Sequence, residues 1–260
     1  MEGTVSVEKQ GHVLRIGLER PQKMNAFDRK MYRDLAAAYG ELQDDDDIRC
    51  AVLFGHGEHF TGGLELTDWT ETFGDAKFAQ LPEGGYDPLR LEGPTITKPV
   101  VVAVHGWCLT IGIELLLACD IRIAAKNTRF AQIEVKRGIY PVGGATVRLP
   151  REIGWGNAQR YLLTGDEFSG DEAYRMGLVQ EITEPGEQFD RALAIAERIA
   201  EQAPLGVYAS LNSSRVSRQD GEKVALASLM TDLQPLLKSE DVKEGVQSFV
   251  ERRKAVFKGR

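Results

Sequence analysis

Two glutamates stand where a carboxylate has a reason to be chemical. Glu114 sits in Gly112-Ile113-Glu114-Leu115-Leu116-Leu117, an otherwise apolar segment that reads as the start of a helix. A carboxylate among such neighbours is costly unless it is paired or used. It also fits a purely structural account, an acid favoured by the dipole of a helix start. Glu134 follows the short strand-like run Phe130-Ala131-Gln132-Ile133. It equally fits a surface glutamate at a strand end. If the two converge, they suit acid/base work at adjacent carbons, one accepting a proton while the other delivers one. Spacing alone does not show convergence.

Two glycine-containing turns share one pattern of strand, tight turn and helix start. The first runs from 50–54 into Gly62-Gly63-Leu64. The second runs from 100–104 through Gly106 to Leu109-Thr110-Ile111-Gly112. A helix N-terminus leaves backbone N–H groups without partners, and its dipole favours negative charge. Two such turns face to face could hold one developing oxyanion, where loss of one donor typically costs about 3 kcal/mol in the barrier. Ordinary turn chemistry gives the same glycines.

The elements that must position these groups are readable from periodicity. Residues 4–8 and 12–18 around Gln10-Gly11 predict a β-hairpin, which Pro21 ends. Met31, Leu35, Ala38 and Leu42 lie at helical spacing within 28–42. Short apolar strands are expected at 50–54, 100–104 and 120–124, with a helix over 112–118 between the last two. Residues 74–94 mix glycine, proline and polar residues without a period, as in a pocket-lining loop. After Pro141 the chain reads mainly helical, with helices over 157–163, 171–175, 188–202, 205–216, 222–237 and 241–253. Thr164-Gly165 and Met176-Gly177 read as helix stops.

At 260 residues the chain is long enough to bury a full core without cross-links. Its net charge of -7 disfavours nucleic acid and anionic membrane as partners, so an anionic ligand would need a local basic patch. The longest apolar run, Pro99 to Val104, is far too short to span a bilayer. No signal or transit peptide is read at the start. Cys50, Cys108 and Cys119 are odd in number and lie in apolar runs, which fits buried thiols in a reducing compartment such as the cytoplasm. The four histidines lack ligand spacing, so no metal site is expected.

Taken together, these segments resemble the crotonase superfamily, also called enoyl-CoA hydratase/isomerase. The resemblance begins at Arg20-Pro21-Gln22-Lys23-Met24-Asn25-Ala26-Phe27 and continues through Phe60-Thr61-Gly62-Gly63-Leu64-Glu65-Leu66. It then takes in Lys98-Pro99-Val100-Val101-Val102-Ala103-Val104-His105-Gly106 and, most specifically, Glu114-Leu115-Leu116-Leu117-Ala118-Cys119-Asp120-Ile121-Arg122-Ile123-Ala124. Gly143-Gly144-Ala145-Thr146 and Arg148-Leu149-Pro150 also fit, so almost the whole chain is covered.

The resemblance implies an α/β fold, a spiral core of ββα repeats over 1–185 that carries an acyl-CoA site. It further implies a helical C-terminal region over 186–260 that assembles trimers or hexamers. The matching oxyanion donors are the backbone N–H groups of Leu64 and Ile111, and the hydratase carboxylates match Glu114 and Glu134. Such enzymes add water across the C2–C3 double bond of a trans-2-enoyl-CoA. Coenzyme A is then part of the substrate, with no separate cofactor. It would bend around Lys23, Asn25, Ala26, Gly62 and Gly63, with Lys23 and Lys258 facing phosphates or adenine.

The chain departs from the family pattern at two places. Thr110-Ile111 stands where consecutive glycines are common, and a positive φ at Ile111 would strain a β-branched residue. Leu64-Glu65 stands where alanine and aspartate are commoner. The stretch after Glu134, Val135 to Val147, holds no acid. Val142 occupies the position where dienoyl-CoA isomerases of this kind carry an aspartate, and Tyr140 reads as a core or pocket-wall tyrosine. A hydratase is expected first. An isomerase shifting a 3-enoyl double bond, and a CoA-binding paralogue without this activity, are the alternatives.

Overall fold

The computed structural model describes residues 2–74, 78 and 80–260; part of the 74–94 stretch, residues 75–77 and 79, thus lies outside the described residues. The hairpin forms as expected. Strands β1 (Thr4–Gln10) and β2 (Val13–Glu19) pair antiparallel from Thr4↔Glu19 to Gln10↔Val13. Gly11 takes the positive φ of 57° that the two-residue turn requires. After a 3-10 turn at Pro21–Lys23, Asp28 caps helix α1 (Arg29–Asp44), its side chain accepting from the Met31 N–H at 2.8 Å. Such a cap is worth about 1 kcal/mol. Helix α1 buries Met31, Leu35, Ala38 and Leu42, the face its spacing predicts, and Tyr32 beside them.

Strands β3 (Cys50–Gly55), β4 (Val100–Val104), β6 (Ile121–Ala125) and β9 (Glu181–Thr183) extend the sheet in parallel from β2, in the order β1-β2-β3-β4-β6-β9. Parallel neighbours require crossovers, which cover both faces and make the strands apolar throughout. Strand β4 shows the result. Val100, Val102 and Val104 enter the main core, while Val101 and Ala103 enter a second one beneath helix α7 (Gln188–Ala200). Ala192, Ala196 and Ala200 give α7 a small-residue stripe on that side. A second sheet joins β5 (Trp107–Leu109), β7 (Arg129–Ala131) and β8 (Phe168–Ser169).

Between the strands lie α2 (Leu66–Gly74), α3 (Ile111–Ala118), α4 (Ala145–Ile153), α5 (Trp155–Thr164) and α6 (Gly170–Met176). The expected stops at Gly165 and Gly177 are left-handed C-caps with φ of 65° and 82°. Helix α4 was not among the expected helices. Its internal Pro150 removes a helix donor, so it reads locally as a breaker. The chain ends in α8 (Pro204–Asp220), α9 (Glu222–Leu237) and α10 (Glu240–Glu251). Ion pairs from Arg215 to Asp120 and from Arg218 to Glu152 tie α8 to the core. Among the described residues no helix is long and apolar enough to cross a membrane.

Candidate active site

Both glutamates open on one cavity of about 730 Å³, which Gly62, Leu64 and Thr110 also line. Glu114 is in the first turn of α3 and only 3% exposed. The N-terminus of α4 supports it: its Oε1 accepts from the Ala145 N–H at 3.3 Å. The Gly143 backbone lies so close that a Cβ there would fall 2.3 Å from Oε2. Burial pushes the Glu114 carboxyl up to about 7, against the opposing pull of the Ala145 and Gly143 N–H groups and of Arg148.

Glu134 heads the 3-10 turn Glu134–Arg137 that follows β7. Burial raises it to about 7 as well; its own backbone N–H lowers it, and the nearby charge of Glu114 raises it further. Buried Gln132 supports it. With its NH2 turned toward Glu134, Gln132 Nε2 lies 2.9 and 3.0 Å from the two carboxylate oxygens. That donor favours the charged form. Periodicity gave no hint of Gln132, because its partner is two residues away around a turn rather than on a repeating face.

The two glycine turns are stitched together. Thr61 donates its N–H to Trp107 and accepts from the Leu109 N–H, at 2.9 and 3.1 Å. On the first turn, Phe27 donates to the Gly63 carbonyl and accepts from the Glu65 N–H, each at 2.8 Å. The Leu64 N–H lies between these bonds and is left out of them. On the second turn, Thr110 donates to the Ala131 carbonyl at 3.0 Å, and its own carbonyl accepts from the Ile113 and Glu114 N–H groups. Ile111 opens α3, so its N–H has no acceptor within the helix. Among the described residues neither the Leu64 nor the Ile111 N–H donates to an acceptor.

The backbone strain considered for Ile111 falls one residue earlier. Thr110 has φ 48° and ψ −112°, a conformation suited to glycine, and its Oγ1 is buried without a partner. That oxygen packs against Gly63, where a Cβ would lie 2.5 Å away. Gly63, with φ 107°, therefore has two reasons to be glycine.

The 20–26 segment is braced from within. Asn25 is fully buried: its Oδ1 accepts from the Arg20 N–H, and its Nδ2 donates to the His56 and His59 carbonyls. Its amide is thus committed to shaping the turn. The Ala26 carbonyl accepts from Arg20, and the Gly62 N–H donates to Met24 at 2.7 Å. Lys23 pairs with Glu65 at 2.5 Å, and Glu65 also holds Arg20 at 2.7 Å. Lys258 pairs with Glu240 on the C-terminal segment, and neither it nor Lys23 is among the residues lining the cavity.

Besides Phe78 and Ile133, much of the cavity wall comes from three places. Leu66 opens α2. Leu91 and Glu92 lie on a loop held by Asp87, which accepts from the Leu89 and Leu91 N–H groups, and by Arg148, which donates to the Leu89 and Arg90 carbonyls. Ile139, Tyr140 and Val142 follow the Glu134 turn, so Tyr140 is a wall residue rather than a core one.

Residues 8–260 match the family model described as enoyl-CoA hydratase/isomerase. The chain is 36% identical to enoyl-CoA hydratase EchA19 of Mycobacterium tuberculosis, over 98% of this chain and 96% of that one. It is 33% identical over the full length of both chains to carnitinyl-CoA dehydratase of Salmonella enteritidis. Among solved structures, a probable enoyl-CoA hydratase/isomerase from Mycobacterium abscessus superposes with a TM-score of 0.95 at 50% identity, covering 99% of each chain. The enoyl-CoA hydratase of Mycobacterium tuberculosis H37Rv gives 0.87 at 34% identity, with both chains fully covered. With the α/β architecture and the glutamate pair already described, these matches establish that the chain belongs to the enoyl-CoA hydratase/isomerase family, the crotonase superfamily.

Proposed function

We propose that the protein is an enoyl-CoA hydratase, adding water reversibly across the C2–C3 double bond of a trans-2-enoyl-CoA. One observation carries the reading: two carboxylates, each raised to about 7, line the same cavity as the Leu64 turn. Near neutral pH such a pair shares roughly one proton, so one member is a base while the other is an acid.

Glu114, ionised, takes a proton from water as the water oxygen bonds to C3. The π electrons move through C2 to the thioester oxygen, where the Leu64 and Ile111 N–H groups stabilise the enolate. The electrons return as C2 takes the proton of Glu134, and the pair resets by exchanging one proton with solvent. An isomerase needs a single shuttling base, so two supported carboxylates favour hydration. Coenzyme A enters as part of the substrate, against Lys23, Asn25, Ala26, Gly62 and Gly63. Asn25 contributes there by holding the turn.

The test is mass spectrometry of a trans-2-enoyl-CoA panel with wild type, Glu114→Gln and Glu134→Gln. A gain of one water that both substitutions suppress is the expected result. A shifted double bond without added mass would replace hydratase by isomerase.

We also propose a cytoplasmic homotrimer or homohexamer in which residues 186–260 supply the trimer contacts and 1–185 the acyl-CoA site. Leu226 and Met230 on α9, with Phe249 and Val250 on α10, are exposed apolar residues of the kind that mark an interface. A monomer by analytical ultracentrifugation would overturn the assembly.

A further inference from the structure

We infer that the substrate's acyl arm is extended and apolar, about eight carbons or longer, rather than a four-carbon or charged-tail group. The inference rests on the hydratase reading and concerns the wall of the same cavity.

Four apolar side chains on that wall are left open by the protein. Leu66 is 44% exposed, Ile139 47%, Tyr140 63% and Val142 45%. They come from the start of α2 and from the segment after Glu134, and Phe78, Leu91 and Ile133 line the cavity with them. Scattered exposed apolar residues need no explanation, but a set lining one cavity together with a polar pair marks a surface that a ligand covers. At about 730 Å³ the cavity falls within the roughly 300–1,000 Å³ range that drug-sized ligands fill. A four-carbon arm would leave most of this wall in water.

The charged members of the wall set the sign preference. Arg137 and Glu92 both line the cavity and are exposed. Arg137 opposes an arm ending in a quaternary ammonium, and Glu92 opposes one ending in a carboxylate. With both signs present, neither charged tail gains a net field, and the apolar surface decides.

The experiment measures kcat/KM for trans-2-enoyl-CoA thioesters of four, six, eight, ten and twelve carbons, and for a 2-enoyl-CoA with a quaternary ammonium terminus. Full burial of two methylenes is worth roughly tenfold, so with a partly open wall the ten-carbon substrate should exceed the four-carbon one by about thirtyfold or more. Ile139→Asn and Val142→Asn should each cut that ratio by about tenfold, and Val142→Leu should preserve it. Highest kcat/KM on the four-carbon or ammonium substrate, or a ratio unmoved by both asparagine variants, overturns the inference. Absence of turnover on every member strikes the hydratase reading instead. The Kd of saturated four- and ten-carbon acyl-CoAs then still decides the arm, equal affinities overturning it.

Discussion

The Gly143 backbone lies flush against the Glu114 carboxylate, so close that an added Cβ would stand 2.3 Å from Oε2. The φ of Gly143 is not positive, so alanine is disfavoured there by contact alone and not by backbone strain. Gly143→Ala should therefore push Glu114 off its donors, lowering kcat by about a hundredfold, as misplacement by an ångström does. The fold should lose no more than about 2 kcal/mol. Steady-state kinetics beside urea unfolding checks both. Unchanged kcat would show that the carboxylate position does not matter.

The two raised carboxyls set the pH response. Hydration needs Glu114 ionised and Glu134 protonated, so activity should fall below about 7 as Glu114 protonates and above about 7 as Glu134 ionises. The kcat profile should be a narrow bell, its limbs belonging to the coupled pair. A plateau from pH 5 to 9 would contradict it.

Stability should run in a definite direction with pH. The folded Glu114 carboxyl is raised from an ordinary 4.5 to about 7, so between these values the native state holds a proton that the unfolded chain releases. Its stabilising contribution is complete below 4.5 and lost as pH rises through 7. Glu114→Gln, which cannot ionise, should gain on wild type by on the order of 2–3 kcal/mol between pH 4.5 and 8. Denaturant titrations at both values measure the difference. A variant that loses ground at the higher pH refutes the assignment.

Gln132 offers a separate handle on Glu134. Gln132→Met keeps the volume and removes the amide donor that favours the charged carboxylate. The alkaline limb of the kcat profile should then move to higher pH by more than the acid limb does. A purely structural role would lower stability and leave both limbs in place.

Thr110 carries strain that glycine would not. Its φ of 48° and its unpartnered buried hydroxyl each destabilise the native state. Thr110→Gly gives back some of this through greater freedom of the unfolded chain. The net expectation is a gain of about 1 kcal/mol in urea unfolding. A clear loss of stability would mean the threonine methyl packs better than its backbone suggests.

Much of the architecture was readable where one period dominates. The hairpin, α1 and the all-apolar β4 follow from alternation, helical spacing and burial on two faces. Helix α4 was not readable, since Pro150 breaks the local pattern while Ala145, Leu149 and Ile153 supply a buried face that tertiary packing rewards. Strands β5, β8 and β9, at two or three residues, are too short to show a period. Glu114 announced itself by standing in an apolar helix. Gln132 did not, because its contact with Glu134 runs around a turn and follows no period, and Gly143 did not, because its contact with Glu114 depends on two segments meeting in space. At Thr110-Ile111 the anomaly was visible in the residue types, but the residue that bears the positive φ was not.

Strand β4 has no polar side to tell it which way to face, and this makes its alignment depend on bulk. Val100, Val102 and Val104 face one compartment, and Val101 with the smaller Ala103 fits beneath the alanine stripe of α7. Deleting a single residue from this strand would conserve hydrophobicity and still exchange the two sets. It would also draw Gly106 away from the carbonyl of Glu58, against which it fits only without a side chain. The second donor turn would move with it. Volume matching in the middle of the sheet thus sets the address of a peptide N–H at its edge.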